Sequence, residues 1–129
     1  MRRLRTALGI ATLILSGSFM SGCTGGNALP PYTVAVGASP KRGKKLIEAY
    51  GCGSCHTIPG IPAARGLVGP PLLWMGRRTM IAGELPNSPE NLVRWIKDPK
   101  KVEPGTAMPD LGLSDQEARD VAAYLTNLR

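Results

Sequence analysis

The run Cys52-Gly53-Ser54-Cys55-His56 constrains this chain more than any other feature. It contains C-x-x-C-H, the attachment signature of c-type haem. In that chemistry two thiols add to the two haem vinyl groups as thioethers, and the adjoining imidazole reaches the iron. Small residues at Gly53 and Ser54 suit a backbone lying close to a porphyrin. Two other uses of the same residue types compete. A thioredoxin-like C-x-x-C expects a βαβ context that the surrounding residues lack. Zinc needs four ligands, and His56 is the only histidine of the chain. Haem attachment is the preferred reading, with His56 as the first axial ligand.

The third cysteine has a separate explanation. Arg2, Arg3 and Arg5 precede an apolar stretch from Ala7 to Leu15, the layout of an export signal. That stretch is short of the roughly 20 apolar residues that a membrane span needs. It leads into Met20-Ser21-Gly22-Cys23, which resembles the bacterial lipobox, where cleavage precedes a cysteine that receives lipid. Met20 departs from the usual Leu at the first lipobox position. The expected organisation is a lipoprotein signal peptide over 1–22, a Gly/Pro-rich tether over 23–39 lipidated at Cys23, and a domain over 40–129. An ordinary secretory signal or an uncleaved anchor would leave Cys23 unused.

Charge follows the same division. The formal net charge of +7 falls to +4 when the three leader arginines are removed. Two ionised haem propionates would bring it to about +2. Nucleic-acid binding loses its support, because the basicity is partly a targeting device and no aromatic-basic constellation appears. Any steering of partners must come from a patch, for which Lys41, Lys44, Lys45, Lys97, Lys100, Lys101, Arg77 and Arg78 are candidates.

The second axial ligand must be sought among the methionines. Met20 leaves with the leader. Met108 lies in Pro104-Gly105-Thr106-Ala107-Met108-Pro109, a loop fixed by Pro and Gly that can hold a thioether inward. Met75 and Met80, near Trp74, read more simply as core or haem-edge packing. Met108 is therefore the preferred ligand. A His/Met pair raises the reduction potential relative to two histidines. It fills both axial positions, which suits electron transfer and leaves no small-molecule substrate site.

Periodicity gives three helices. Lys41 to Tyr50 carries Leu46, Ile47 and Tyr50 on one face, with Gly43 allowing close approach by another helix. Ser88-Pro89-Glu90 opens a second, carrying Leu92, Trp95 and Ile96 and stopped by Asp98-Pro99. Ser114-Asp115-Gln116-Glu117 is a capping box for a third, with an apolar stripe of Ala118, Val121, Ala122, Leu125 and Leu128. Ala118 and Ala122 are expected to face Gly43. Two Trp, three Tyr and one Phe supply little aromatic core, and a flat apolar cofactor would make up the shortage.

Together these motifs resemble class I monohaem cytochrome c over Pro40 to Arg129. The resemblance implies an all-α fold of three to four short helices with long loops around one covalent haem c. It also implies that the Pro70 carbonyl, in Gly69-Pro70-Pro71-Leu72, accepts a hydrogen bond from His56, and that Trp95 contacts the cofactor. The stretch Ala82 to Leu92, with Trp95-Ile96 and Pro104-Gly105, is similar to the cytochrome c domain fused to subunit II of caa3-type oxidases, here without a copper-binding domain. The expected function is single-electron transfer at the periplasmic face of a bacterial membrane, inner or outer. The donor would be a quinol-oxidising complex or dehydrogenase, and the acceptor a terminal oxidase. A fixed cytochrome subunit of a larger respiratory complex is the alternative. A haem enzyme or gas sensor would need an open distal position, and a non-haem module would carry no haem.

Overall fold

The computed structural model of the protein describes residues 37–129. The export segment, Cys23 and the tether up to Val36 lie outside the described residues. Among the described residues four helices make the frame: α1 (Pro40–Ala49), α2 (Pro89–Lys97), α3 (Pro99–Val102) and α4 (Asp115–Thr126). Single 3-10 turns form at Cys52–Ser54 and Met75–Arg77. A short antiparallel hairpin pairs β1 (Met80–Ile81) with β2 (Leu85–Pro86), Met80 opposite Pro86 and Ile81 opposite Leu85. This hairpin is an addition to the expected all-α design, and it is too short to leave a period-two signal. Among the described residues, no helix is long and apolar enough to cross a membrane.

Helices α1, α2 and α4 each begin at a serine whose side chain caps the first turn. Ser39 Oγ accepts the Arg42 amide at 3.3 Å, and Pro40 presets the first turn of α1. Gly51, at φ +67°, ends that helix in a conformation most other residues avoid. Ser88 caps α2 in the same way. Asp98-Pro99 stops α2 as expected, yet the chain continues into α3, because a proline at N1 starts a helix as readily as it ends one. The capping box of α4 is complete: Ser114 Oγ accepts the Glu117 amide at 3.3 Å, and Glu117 Oε2 accepts the Ser114 amide at 2.9 Å.

Helices α1 and α4 cross at Gly43. A Cβ there would stand 2.0 Å from the Asp120 carbonyl oxygen and 3.0 Å from the Val121 nitrogen. Gly43 therefore meets α4 backbone at Asp120 and Val121, one step around from the expected Ala118 and Ala122. Those two alanines are buried, as are Val121 and Leu125. Asp120 is buried beside the crossing at 2% exposure. Its carboxylate accepts hydrogen bonds from the Ser39 amide (2.7 Å), Arg42 Nε (2.7 Å) and Nη2 (2.9 Å), and Gln116 Nε2 (3.0 Å). Desolvation pushes its pKa up, and these donors more than offset that, so the carboxyl titrates below the usual aspartate range. Surface pairs Lys97–Asp115 and Lys101–Asp98 contribute little in water.

Candidate haem site

Between α1, α2, α4 and the long loops lies a cavity of about 460 Å³. That volume falls in the range of small-molecule and cofactor sites. Its buried walls include Ile47, Ile58, Ile81, Leu92, Ile96, Val121 and Leu125. Cys52, Cys55, His56, Pro70, Trp95 and Met108 all line it as well. Six residues spread over 57 positions of sequence are thus gathered around one space.

The 3-10 turn at Cys52–Ser54 is what sets the two cysteines side by side. The amides of Cys55 and His56 both donate to the Cys52 carbonyl, at 3.3 and 3.0 Å. Both thiols are free, with no disulfide between them. Burial pushes the pKa of the Cys52 thiol up. Gly53 also has a neighbour within the protein: its missing side chain makes room for Ala64, whose Cβ would stand 2.7 Å from an added Cβ. Ser54 is exposed and donates its hydroxyl proton to the Gly51 carbonyl at 2.7 Å.

His56 is held on two sides. A Cβ on Gly69 would stand 2.3 Å from its ring, so the imidazole packs against Gly69 where any side chain would intrude. Its Nδ1 is 2.7 Å from the Pro70 carbonyl oxygen. A carbonyl only accepts, so Nδ1 carries the proton and Nε2 keeps its lone pair for a metal. The Gly69 amide, donating to the Cys55 carbonyl at 2.8 Å, ties this loop back to the motif.

Two tyrosines anchor the same region to α4, and nothing in their sequence context announced it. Tyr50, just ahead of the motif, donates to Glu117 Oε1 at 3.1 Å, a bond that raises its pKa. Tyr124 donates to the Pro59 carbonyl at 2.6 Å just after the motif. The motif loop is therefore clamped at both ends on the terminal helix.

The Met108 loop is ordered by its own turns. The Gly105 amide donates to Glu103 Oε1 at 2.8 Å, the Thr106 amide to the Glu103 carbonyl at 3.0 Å, and the Met108 amide to Thr106 Oγ1 at 3.2 Å. Of the other methionines, Met75 is buried and lines the same cavity. Met80 is 42% exposed on β1 and is absent from the cavity wall. The six lysines proposed for steering are likewise absent from it; Arg78 alone of that set lines the cavity.

These residues fit a covalently held haem: two free thiols one turn apart, an imidazole with a fixed tautomer, a thioether and an apolar enclosure. Among the described residues no cluster of three or more His, Cys, Asp or Glu side chains is arranged to cage a metal ion, as zinc would need. Fold and site define a class I cytochrome c domain. The chain belongs to the cytochrome c family, whose model matches residues 40–129.

Its curated relatives place it more narrowly. It is similar to the cytochrome c oxidase subunit 2 of Alkalihalophilus pseudofirmus, with 37% identity over 91 residues, 68% of this chain and 25% of the relative. Subunit 2 of Bacillus subtilis is 34% identical over 93 residues, 69% of this chain and 26% of the relative. The chain spans about a quarter of the length of these proteins. The class I cytochrome c domain resembles theirs.

Proposed function

We propose that this protein is a membrane-anchored, periplasmic electron carrier with one covalent haem c, held by Cys52 and Cys55 and ligated by His56 Nε2 and Met108. The gathering of all four side chains around one cavity is the observation that supports this most. The bound iron supplies a one-electron couple. The protein's part is to keep both axial donors in place in either oxidation state, so that little reorganisation accompanies the electron. Pro70 orients His56, the Glu103–Thr106 turns present Met108, and Trp95 with the aliphatic wall excludes water. With both axial positions filled in this way, the role is electron transfer.

Likeness to oxidase subunits supports a terminal oxidase as acceptor, with a quinol-oxidising complex or dehydrogenase as donor. Arg2, Arg3, Arg5, the apolar stretch and Cys23 support export and lipid attachment at the outer face of the cytoplasmic membrane or in the outer membrane. The second reading is a fixed subunit of a larger respiratory complex. It is favoured by the fact that the similar segment of each relative belongs to a longer oxidase subunit.

Membranes from cells producing the full chain, or its Cys23→Ala variant, test the proposal. The wild-type haem should sediment with the membranes and reoxidise in air with cyanide sensitivity. The variant should lose most of its membrane association. Haem that stays reduced in aerated, oxidase-competent membranes would contradict the carrier reading. Fixed stoichiometry with one complex after detergent extraction would favour the subunit.

A further inference from the structure

Trp74 and Met75 are neighbours with opposite fates. Met75 is buried against the cavity, whereas Trp74 is 61% exposed and takes no part in the cavity wall. Trp74 also stands at φ +50°, a left-handed conformation that is costly for an aromatic residue. Its surroundings enforce that conformation. The Gly76 amide donates to the Leu128 carbonyl at 3.0 Å, and a Cβ on Gly76 would stand 1.9 Å from the Thr126 carbonyl oxygen. Asn87 Nδ2 donates to the carbonyls of Met75 (2.8 Å) and Arg78 (2.9 Å). The Arg77 amide donates to the Trp74 carbonyl at 2.8 Å, and Arg78 Nη2 donates to the carbonyls of Pro71 and Leu73. These contacts lock the turn without using the indole, which is left rigidly displayed in water, as docking residues are.

The chemistry around it is one-sided. Leu73 is 36% exposed, and Arg77 and Arg78 are exposed. From Ala49 to Gly83 the sequence contains Arg65, Arg77 and Arg78 and no Asp or Glu. An indole and a leucine flanked by arginines, without acidic neighbours in the chain, match an anionic lipid interface. There the indole sits at headgroup level and guanidinium groups meet phosphates.

We infer that the corner formed by Leu73, Trp74 and Arg77 seats on an anionic lipid surface. This rests on the proposed Cys23 anchor. Residues 24–36, between that anchor and the first described residue, reach at most about 45 Å when fully extended. The bilayer is then always within range, and its high effective concentration lets a small patch orient the domain. A protein partner of acidic character is the competing occupant. The short leash favours the lipid, which is present before any encounter.

Hydroxyl-radical footprinting of the processed, haem-loaded full chain tests this. The protein is bound to vesicles of phosphatidylcholine alone or mixed with phosphatidylglycerol, and oxidation of Trp74 is read by mass spectrometry. Trp74 should oxidise several-fold more slowly on the anionic vesicles. Arg77→Glu should remove that protection while leaving the visible haem spectrum unchanged. Protein that sediments with both vesicle types while Trp74 stays equally reactive overturns the inference and leaves the anchor standing. Protein that sediments with neither overturns the anchor and the inference with it. Protection that appears only after solubilised membrane proteins are added assigns the corner to a protein partner and overturns the lipid assignment.

Discussion

A chain carrying Cys52→Ala and Cys55→Ala together should lose its covalent haem and, with it, its tertiary structure. The reason is the size of the space left behind. At about 24 cal/mol per Å³ of residual cavity, a void of about 460 Å³ corresponds to as much as about 11 kcal/mol. Collapse and water entry would lower that figure. It nevertheless equals the whole stability of a typical domain, about 5–15 kcal/mol. The aliphatic wall of Ile47, Ile58, Leu92, Ile96, Val121 and Leu125 has no substitute partner, since the chain holds only two Trp, three Tyr and one Phe. Haem staining after denaturing electrophoresis and near-ultraviolet circular dichroism check both halves of this expectation. An apo-protein with native near-ultraviolet ellipticity and a cooperative melt would show that the cavity is not the structural centre.

The second large effect belongs to the helix crossing, away from the haem. Gly43→Ala should destabilise the haem-loaded protein by about 3 kcal/mol, the upper end of ordinary overpacking. The added Cβ would stand 2.0 Å from the Asp120 carbonyl oxygen, and main chain in a buried helix cannot step aside as a flexible side chain would. The gain of about 1 kcal/mol in helix propensity from Gly to Ala is outweighed. Separating α1 from α4 would also pull Ser39 and Arg42 away from the Asp120 carboxylate. Thermal unfolding should fall by more than about 10 °C, given roughly 4–8 °C per kcal/mol for a domain of this size. Gly43 lies off the cavity wall, so the visible spectrum of the folded protein should stay as it is. A melting point within about 2 °C of wild type would mean that the crossing is looser than these contacts imply.

Much of this arrangement was legible because it is encoded locally. Cys52, Cys55 and His56 are contiguous, Ser114 and Glu117 sit three apart, and Leu92, Trp95 and Ile96 share a helix face. Such signals need no knowledge of the rest of the chain. What escaped depends on long-range encounters. The Tyr124–Pro59 and Tyr50–Glu117 bonds join residues 65 and 67 positions apart, and a tyrosine at helical spacing reads only as packing. Asp120 looks like a solvated helix residue until α1 brings Ser39 and Arg42 over it. At Gly53 the motif points to a close porphyrin, and the need to clear Ala64, eleven positions on, becomes visible only in the fold. Nothing in the sequence separated Met75, which is buried, from Met80, which is exposed.

The account turns on Met108 as the second axial donor. The measurement that tests it most directly is the absorption spectrum of the oxidised, haem-loaded protein, read for the thioether-to-iron charge-transfer band and paired with the reduction potential. Wild type and Met80→Ala should both show the band. Met108→Ala should lose it, and its potential should drop on the order of 0.2 V, a fraction of the roughly 0.8 V over which axial ligands tune haem. A band missing from the wild type, or surviving in Met108→Ala, would contradict His/Met ligation and the electron-carrier function built on it.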